Sequence, residues 1–477
     1  MMKKSDDLRK KIAYERKCFW TDTTKNEQKT AMKFAENYKK FLSAAKTERE
    51  VIDYTVEELK GKNFINIDVP QKNNNNRRVY KVFKNKAMAV AVIGKNPMSE
   101  GVNIVASHID APRVDLKQNP FDEDKITKLA ILKTHYYGGI KKYQWMSTPL
   151  ALHGIVIKAN GERVDICIGE NDNDPVLVMP DLLIHLSRKE QMSKPMSEAV
   201  SAAHMNVLLG SIPYYEDKEE TKDAVKLNAL NLIFDKYDIK EEDFLSAELY
   251  LVPAGKARDL GVDKSMVIGY GQDDRICAYT SLQALLDVME MESDKTSIIY
   301  FFDKEEVGSD GASGANSIFF LDFIGDLLKY NNEDAGSYNT RKTLIKSSVI
   351  SADVNAAINP NFPSVHEASN AVHMGYGVGI AKFLGSGGKG GTNDASSEFT
   401  AKVMRIFNEE KVNWQIGALG KVDEGGGGTI AKFLSYHGCD VIDCGPGLLS
   451  MHSLNEVCSK ADLYSTYKAY KAFLLKA

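Results

Sequence analysis

The motif Ser107-His108-Ile109-Asp110 stands directly after an apolar, strand-like run over residues 102–106. Ligands bind at the carboxyl ends of strands in α/β sheets, so this position favours a functional role. His108 could bind a metal ion through one ring nitrogen, while Asp110 accepts a hydrogen bond from the other and fixes the ring. The motif is short, and taken alone it does not decide the chemistry.

Two adjacent glutamates, Glu305 and Glu306, follow the apolar run over residues 296–302. Carboxylates at the end of a buried strand are costly unless cations or protons compensate their charge. One of the pair could bind a metal ion while its neighbour acts as general base for a water molecule. A solvated loop would carry the same residues, and it stays an alternative for this segment taken alone.

Three further candidates occupy similar positions. Asp273 opens a predicted helix, and Asp353 and His452 each follow a strand or turn. Each alone is better explained as a cap or loop residue. Together, two histidines and several carboxylates form a nitrogen and oxygen donor set that suits two Zn²⁺, Co²⁺ or Mn²⁺ ions sharing a bridging carboxylate. The combined pattern predicts a dinuclear centre that activates water against a carbonyl group.

The elements that must position these residues alternate between helices and strands. Apolar residues at helical spacing predict two helices over residues 27–60, and apolar runs predict strands at residues 87–93, 296–302 and 348–351. This alternation favours an α/β fold with a mostly parallel sheet. We also expect a polar turn at residues 72–78 and a solvated loop at residues 216–223.

The middle of the chain has a different pattern. Its segments alternate between apolar and polar residues, and Asn160-Gly161 is a strong hairpin signal. We therefore predict a discontinuous catalytic α/β domain, residues 1–114 and 252–477, with a β-rich domain, residues 115–251, inserted between its two parts.

Composition excludes several classes of protein. The 477 residues are 43% hydrophobic and 26% charged, as in globular proteins. The net charge of −4 disfavours binding to nucleic acid, and no run approaches the roughly 18 apolar residues of a membrane span. The charged N-terminus has no apolar signal stretch, and six scattered cysteines suit a reducing compartment. We expect a cytoplasmic protein that binds neither nucleic acid nor membranes.

Seven segments together resemble the aspartyl aminopeptidase and vacuolar aminopeptidase I family of dinuclear zinc exopeptidases. They occur in one order and span most of the chain. The segments are SHIDAPR (residues 107–113), DDR (273–275), DKEEVGS (303–309), SADVNAAINPNF (351–362), GGKGGTNDASSE (387–398), DEGGGGT (423–429) and GPGLLSMHS (445–453). The resemblance implies a mixed-sheet, zinc-exopeptidase-like catalytic domain with an inserted β-rich dimerisation domain.

The resemblance also implies a ligand set for two divalent metal ions per subunit, with Zn²⁺ preferred over Co²⁺ or Mn²⁺. Asp273 would bridge the two ions. His108 and Asp353 would complete one site. Glu306 and His452 would complete the other.

Further roles follow from the same resemblance. Glu305 would act as general base and then as general acid, and Asp110 would orient His108. The family forms homododecamers built from dimers, in which a histidine of the inserted domain reaches the active site of the neighbouring subunit. His185 best fits that histidine, although its apolar neighbours over residues 182–186 predict core packing when considered alone.

The implied function is a metal-dependent aminopeptidase acting on peptides. The segment after Asp353 lacks the histidine pair of the aspartyl-specific branch, and the glycine loops resemble the aminopeptidase I branch, so neutral or hydrophobic N-terminal residues are expected. Specificity for N-terminal Asp or Glu is the alternative. Lys389 could bind an acidic side chain or a peptide carboxylate, or be a solvated loop residue.

Three other functions stay open. A carboxypeptidase or amide deacylase could use the same centre, and it would not require a free substrate amine. A non-catalytic, cage-forming assembly protein would show neither bound metal nor activity. A nucleic-acid-binding module is the weakest of the three, because the sequence has no basic stripe with interleaved aromatic residues.

Overall fold

The computed structural model describes residues 4–70, 76–215 and 221–477. The polar turn expected at residues 72–78 and the loop expected at residues 216–223 fall largely outside these ranges. No helix in the described ranges is both long and apolar enough to cross a membrane. The helices of the described residues are α1 (Lys4–Ile12), α2 (Phe19–Asp22), α3 (Lys25–Ala44), α4 (Glu48–Lys60), α5 (Met196–Ala199), α6 (Ala224–Tyr237), α7 (Gln272–Val288), α8 (Phe319–Tyr330), α9 (Ser337–Ile345), α10 (Ser397–Glu409), α11 (Ala431–Ser435) and α12 (Lys460–Lys476).

The largest sheet within the described ranges has nine strands in the order β1-β2-β3-β13-β4-β14-β18-β16-β17. Strands β13, β4, β14 and β18 run parallel to one another at its centre, whereas β3 and β16 pair antiparallel to them. Its strands are β1 (Ile65–Asn66), β2 (Arg78–Phe83), β3 (Ala87–Val92), β4 (Asn103–His108), β13 (Ser297–Phe302), β14 (Ser348–Ser351), β16 (Val378–Ala381), β17 (Trp414–Ile416) and β18 (Asp440–Gly445).

Helices cover both faces of this sheet, which explains why its strands read as continuous apolar runs. Alternate residues of β3 face opposite cores. Met88 and Val90 pack with α3, α7 and α12, and Ala89 and Ala91 pack with α8. The expected α/β architecture with a mixed sheet is confirmed. The two helices expected over residues 27–60 are α3 and α4, and a capping box between Thr47 and Glu50 begins the second.

A second sheet has, in the described ranges, six antiparallel strands in the order β8-β7-β10-β5-β6-β9. Asn160-Gly161 lies in the turn between β7 and β8, as the sequence indicated. This sheet encloses its own core around Trp145, which is fully buried. We refer to it as the inserted sheet. Its strands are β5 (Arg113–Glu123), β6 (Ala130–Tyr137), β7 (Leu150–Ile157), β8 (Arg163–Ile168), β9 (Val207–Gly210) and β10 (Glu248–Pro253).

A third, five-stranded sheet has the order β11-β12-β20-β19-β15 in the part of the chain that is described. It carries the loop between β19 and β20 beside the carboxyl end of the central parallel strands. Its strands are β11 (Arg258–Leu260), β12 (Met266–Gly269), β15 (Asn355–Ala356), β19 (Gly447–Leu449) and β20 (Glu456–Ser459).

Candidate metal centre

The carboxyl ends of three adjacent parallel strands bring the first candidate residues together. His108 is the last residue of β4 and pairs with Phe302, the last residue of β13. Glu305 and Glu306 therefore follow immediately beside it, on a 3₁₀ turn over Glu305–Val307. On the other side of β4, strand β14 leads into Asp353. These residues share one edge of the sheet because the strands run in the same direction.

His108 is fully buried, and both of its ring nitrogens lie near oxygen atoms. Its Nδ1 lies 3.1 Å from the backbone oxygen of Asp110 and 3.3 Å from the Oδ1 atom of that residue. Its Nε2 lies 3.2 Å from Oδ1 of Asp273. An imidazole whose Nδ1–H is donated keeps the Nε2 lone pair available as a metal ligand.

His452 reaches the same point from the loop between β19 and β20. Its Nδ1 donates to the carbonyl of Gly139 at 3.0 Å, and its Nε2 lies 3.2 Å from Oδ2 of Asp273 and 3.5 Å from Oε2 of Glu306. Its backbone is left-handed, with φ 64°, which is uncommon for a residue other than glycine. Both histidines thus turn Nε2 towards opposite oxygens of a single carboxylate.

Asp273 supplies that central carboxylate from the start of α7, where its peptide bond to Asp274 is cis. Glu456, fully buried on β20, accepts the backbone N–H of Asp273 at 3.1 Å and that of His452 at 2.7 Å. One glutamate therefore fixes the backbones of both residues. Sequence reasoning missed Glu456, because nothing in its spacing distinguishes it from an ordinary strand residue.

Among the described residues, two groups of side chains are close enough to hold a metal ion. His108, Asp273 and Glu306 form one group, with ligand atoms within 4.8 Å of one another. His108, Asp274 and Asp353 form the other. Asp274 was not among the expected ligands, although it stands in the quoted DDR segment.

The electrostatics of the centre favour a bound cation. Burial, with the charge of Asp273 adding to it, raises the pKa of Glu306 well above its usual range, and burial raises the pKa of Glu305 to about 7. Burial disfavours the charged form of His452, but its hydrogen bond with Asp273 outweighs this and raises its pKa to about 10. Without a metal ion, protonation of these carboxylates reduces the negative charge of the site.

The donor set fits divalent metal ions. Oε1 of Glu306 is buried and has no hydrogen-bond partner among the described residues. An unpaired buried carboxylate oxygen is costly, and a cation would satisfy it. Imidazole nitrogens combined with carboxylate oxygens are ligands typical of Zn²⁺ and similar ions.

A cleft of about 210 Å³ gives access to the centre. Its wall includes Glu305, Asp353 and the glycine loop of residues 426–428. Leu384 and Leu419 line this cleft and also a neighbouring cavity of about 360 Å³. The carboxylate of Glu305 thus faces a space where a small substrate group and a water molecule fit.

Two expected site residues lie elsewhere in the structure. His185 is exposed, and its neighbours Ile184 and Leu186 are 61% and 67% exposed, so the core packing predicted from its apolar surroundings is wrong. The side chains of both neighbours are exposed to solvent. Lys389 lines the neighbouring cavity and forms an ion pair with Asp394 at 2.8 Å.

Comparison with known proteins identifies the family. The family model of the aminopeptidase I zinc metalloproteases (M18) matches residues 41–474. The chain belongs to the M18 family of zinc aminopeptidases. This membership makes it a hydrolase and confirms the resemblance seen in the sequence.

Individual M18 relatives match nearly end to end. A probable M18 family aminopeptidase 1 of Borrelia garinii subsp. bavariensis is 47% identical over 455 residues, covering 95% of this chain and 98% of that protein. The crystal structure of an M18 aminopeptidase from Thermotoga maritima superposes with a TM-score of 0.91 at 44% identity, covering 97% of this chain and 100% of that chain. The yeast mApe1 dodecamer shares the fold, with a TM-score of 0.71 at 20% identity over 94% of this chain and 97% of that one.

Proposed function

We propose that this M18 zinc aminopeptidase hydrolyses the first peptide bond of its substrates at the centre around Asp273, with Glu305 as general base. The observation that carries the proposal is the paired arrangement of His108 and His452. In each histidine, the Nδ1–H group donates to a backbone oxygen, and Nε2 faces one oxygen of the Asp273 carboxylate. This is the arrangement expected of two ligands flanking a bridging carboxylate.

Five residues would hold two divalent ions, preferably Zn²⁺, with Co²⁺ or Mn²⁺ as alternatives. Asp273 would bridge, and the other ligands would be His108, Asp353, Glu306 and His452. When bound, such ions supply a Lewis acid for the substrate carbonyl and lower the pKa of the attacking water.

Glu305 would transfer the proton. Its Oε2 lies 4.0 Å from Nε2 of His108, and its side chain is 18% exposed to the cleft, so it is close to the centre and accessible to water. We infer that it takes the proton of the attacking water and later delivers it to the leaving amine. Asp110 would orient His108, as the two Nδ1 contacts above indicate.

The neighbouring cavity supports a preference for neutral or hydrophobic N-terminal residues. It shares Leu384 and Leu419 with the metal cleft, and its wall also includes the apolar residues Phe383 and Trp414. The ammonium group of Lys389 is already matched by Asp394 and lies 3.7 Å from the ring centre of Phe383. An acidic side chain there would have to compete with Asp394 for this charge. Lys382 and Lys421 also line the cavity, which is why specificity for Asp or Glu remains the alternative.

A panel of aminoacyl p-nitroanilides tests both the activity and this preference. Chelator-stripped enzyme would be supplied with Zn²⁺, Co²⁺ or Mn²⁺ and assayed on Leu, Ala, Asp, Glu, Lys and N-acetyl-Leu substrates. We expect Leu to be cleaved more than about tenfold faster than Asp, since an acidic side chain loses hydration in an apolar cavity. We expect no cleavage of N-acetyl-Leu.

The Lys389→Met variant is a control for the role of Lys389 in this panel. It should change the Leu rate by less than about threefold, because its ion pair with Asp394 is half-exposed. Faster cleavage of Asp than of Leu, abolished by K389M, would contradict the neutral preference and support the aspartyl alternative.

We also propose that this chain self-associates into a homododecamer built from dimers through the inserted domain, residues 115–251. The segment around His185 exposes Leu183, Leu186, Met192 and Met196, each more than half accessible. Exposed apolar patches of this kind mark interaction surfaces. On this proposal, His185 reaches a neighbouring active site, as in the assemblies of the family.

We place the protein in the cytoplasm, in keeping with its six free cysteines.

Light scattering tests the assembly. Twelve copies of the 52.9 kDa chain should give a particle of about 635 kDa. Leu186→Asp should reduce the mass, because it places a charge in an apolar contact. His185→Ala should keep the mass but lower activity. A wild-type monomer of full activity would contradict both the assembly and the role of His185.

A further inference from the structure

The carboxylate of Asp110 is fully buried and receives hydrogen bonds from two different sheets. On the side of the nine-stranded sheet, the backbone N–H groups of Glu305 and Glu306 donate to it at 3.1 and 3.2 Å. Nδ1 of His108 lies 3.3 Å from its Oδ1. From the inserted sheet, the hydroxyl of Tyr137 donates to Oδ2 at 2.7 Å, the shortest of these four contacts.

Tyr137 is held firmly at the end of strand β6. It is 9% exposed, and its ring centre lies 4.0 Å from the guanidinium carbon of Arg113 and 5.4 Å from Nζ of Lys304. These distances allow cation–π attraction, which fixes the ring independently of the hydroxyl. The ring can therefore stay in place when only the hydroxyl is removed.

The same short segment of the inserted sheet reaches the rest of the centre. Gly138 has φ 76°, and a Cβ there would lie 3.3 Å from Cβ of Glu306, so glycine allows the close approach. The carbonyl of Gly139 accepts the Nδ1–H of His452. Residues 137–139 thus contact the surroundings of both histidines.

We propose that Tyr137 is a positioning residue: its hydroxyl holds the Asp110 carboxylate in the orientation that fixes both the His108 ring and the backbone of the Glu305–Glu306 turn. Without the hydroxyl, Oδ2 would keep only the N–H of Glu306 among these donors, and the carboxylate would be free to turn. This role rests on the proposed ligand set. Its activity readouts rest also on the proposed reaction, and the zinc-binding readout does not.

Tyr137→Phe tests the role, with Tyr136→Phe as the matched control. Tyr136 is the preceding residue on β6 and is 42% exposed. Zinc affinity would be measured by competition with a chromophoric chelator. We expect Y137F to bind zinc about tenfold more weakly, the low end for partners behind a metal ligand, and to lower kcat with KM nearly unchanged. Y136F should match the wild type. Zinc affinity and kcat of Y137F within about twofold of wild type would overturn the proposal.

A double substitution separates positioning through Asp110 from a general structural effect. If Tyr137 acts through Asp110, adding Y137F to Asp110→Asn should weaken zinc binding by less than a further twofold or so. Fully additive losses would contradict the proposal, as would a metal-free Y137F protein that melts more than about 10 °C below wild type. If Y137F weakens zinc binding while neither the wild type nor Y137F cleaves peptides, the proposed function fails and the positioning role stands.

Discussion

Replacing Glu305 with glutamine should lower kcat by at least about a thousandfold, because the variant cannot accept a proton from the attacking water. The substitution keeps the shape of the side chain and removes no proposed metal ligand. Zinc content should therefore remain near that of the wild type, and KM should change little. Steady-state kinetics on Leu-p-nitroanilide, together with metal analysis of the same preparation, would measure both.

Glu57→Gln provides the matched control for this experiment. Glu57 is 72% exposed and pairs with Lys60 on α4, away from the centre, so its variant should match the wild type. Turnover by E305Q within about tenfold of wild type would remove Glu305 from the role of general base. Loss of zinc together with activity would instead place this glutamate among the ligands.

Asp273→Ala should abolish activity by removing the carboxylate that both histidines face. Outer partners of metal ligands already contribute ten- to a hundredfold in affinity, so loss of a bridging ligand should weaken zinc binding by more than about a hundredfold. Activity should fall by at least about a thousandfold. Zinc should also raise the melting temperature of the wild type and leave that of D273A nearly unchanged, because a ligand stabilises only the state that binds it.

Asp287→Ala, on the same helix α7, controls for the loss of a carboxylate. Asp287 is half-exposed and pairs with Lys471 at 2.8 Å. Its variant should bind zinc and turn over substrate as the wild type does. D273A protein that retains two tightly bound zinc ions would contradict the bridging role.

The sequence alone predicted the parts of the site that depend on strand ends. His108, Glu305 and Asp353 follow continuous apolar runs, and such runs mark buried parallel strands whose ends must share an edge. The register of β4 with β13 then places His108 beside the glutamate turn. These residues could be predicted because each signal lies within a short stretch of sequence.

Other parts of the site depend on contacts between distant segments. Tyr137 reaches Asp110, and Gly139 reaches His452, from a sheet whose packing against the centre no local pattern encodes. The exposure of the segment around His185 could not be predicted for a related reason. An apolar segment in the core of a protein and an apolar segment exposed at its surface can have the same composition. Hydrophobicity alone therefore could not decide between core and surface.

The proposed side-chain preference of the substrate also depends on contacts between distant segments. The sequence leaves open whether Lys389 binds an acidic group or is a solvated loop residue, and the structure pairs it with Asp394, five positions later. The apolar walls of the neighbouring cavity come from three separate segments, around Phe383, Met404 and Trp414. Only their assembly in three dimensions shows the chemical character of that cavity.

We expect this centre to remove residues from free N-termini only when metal is bound. Mass spectrometry of an unlabelled peptide and its N-acetylated twin, each incubated with metal-free and zinc-supplied enzyme, tests it most directly. We predict a ladder of products shortened one residue at a time from the N-terminus, formed only from the free peptide and only with metal. Cleavage of the acetylated peptide, shortening from the carboxyl end, or equal cleavage by the metal-free enzyme would contradict the account.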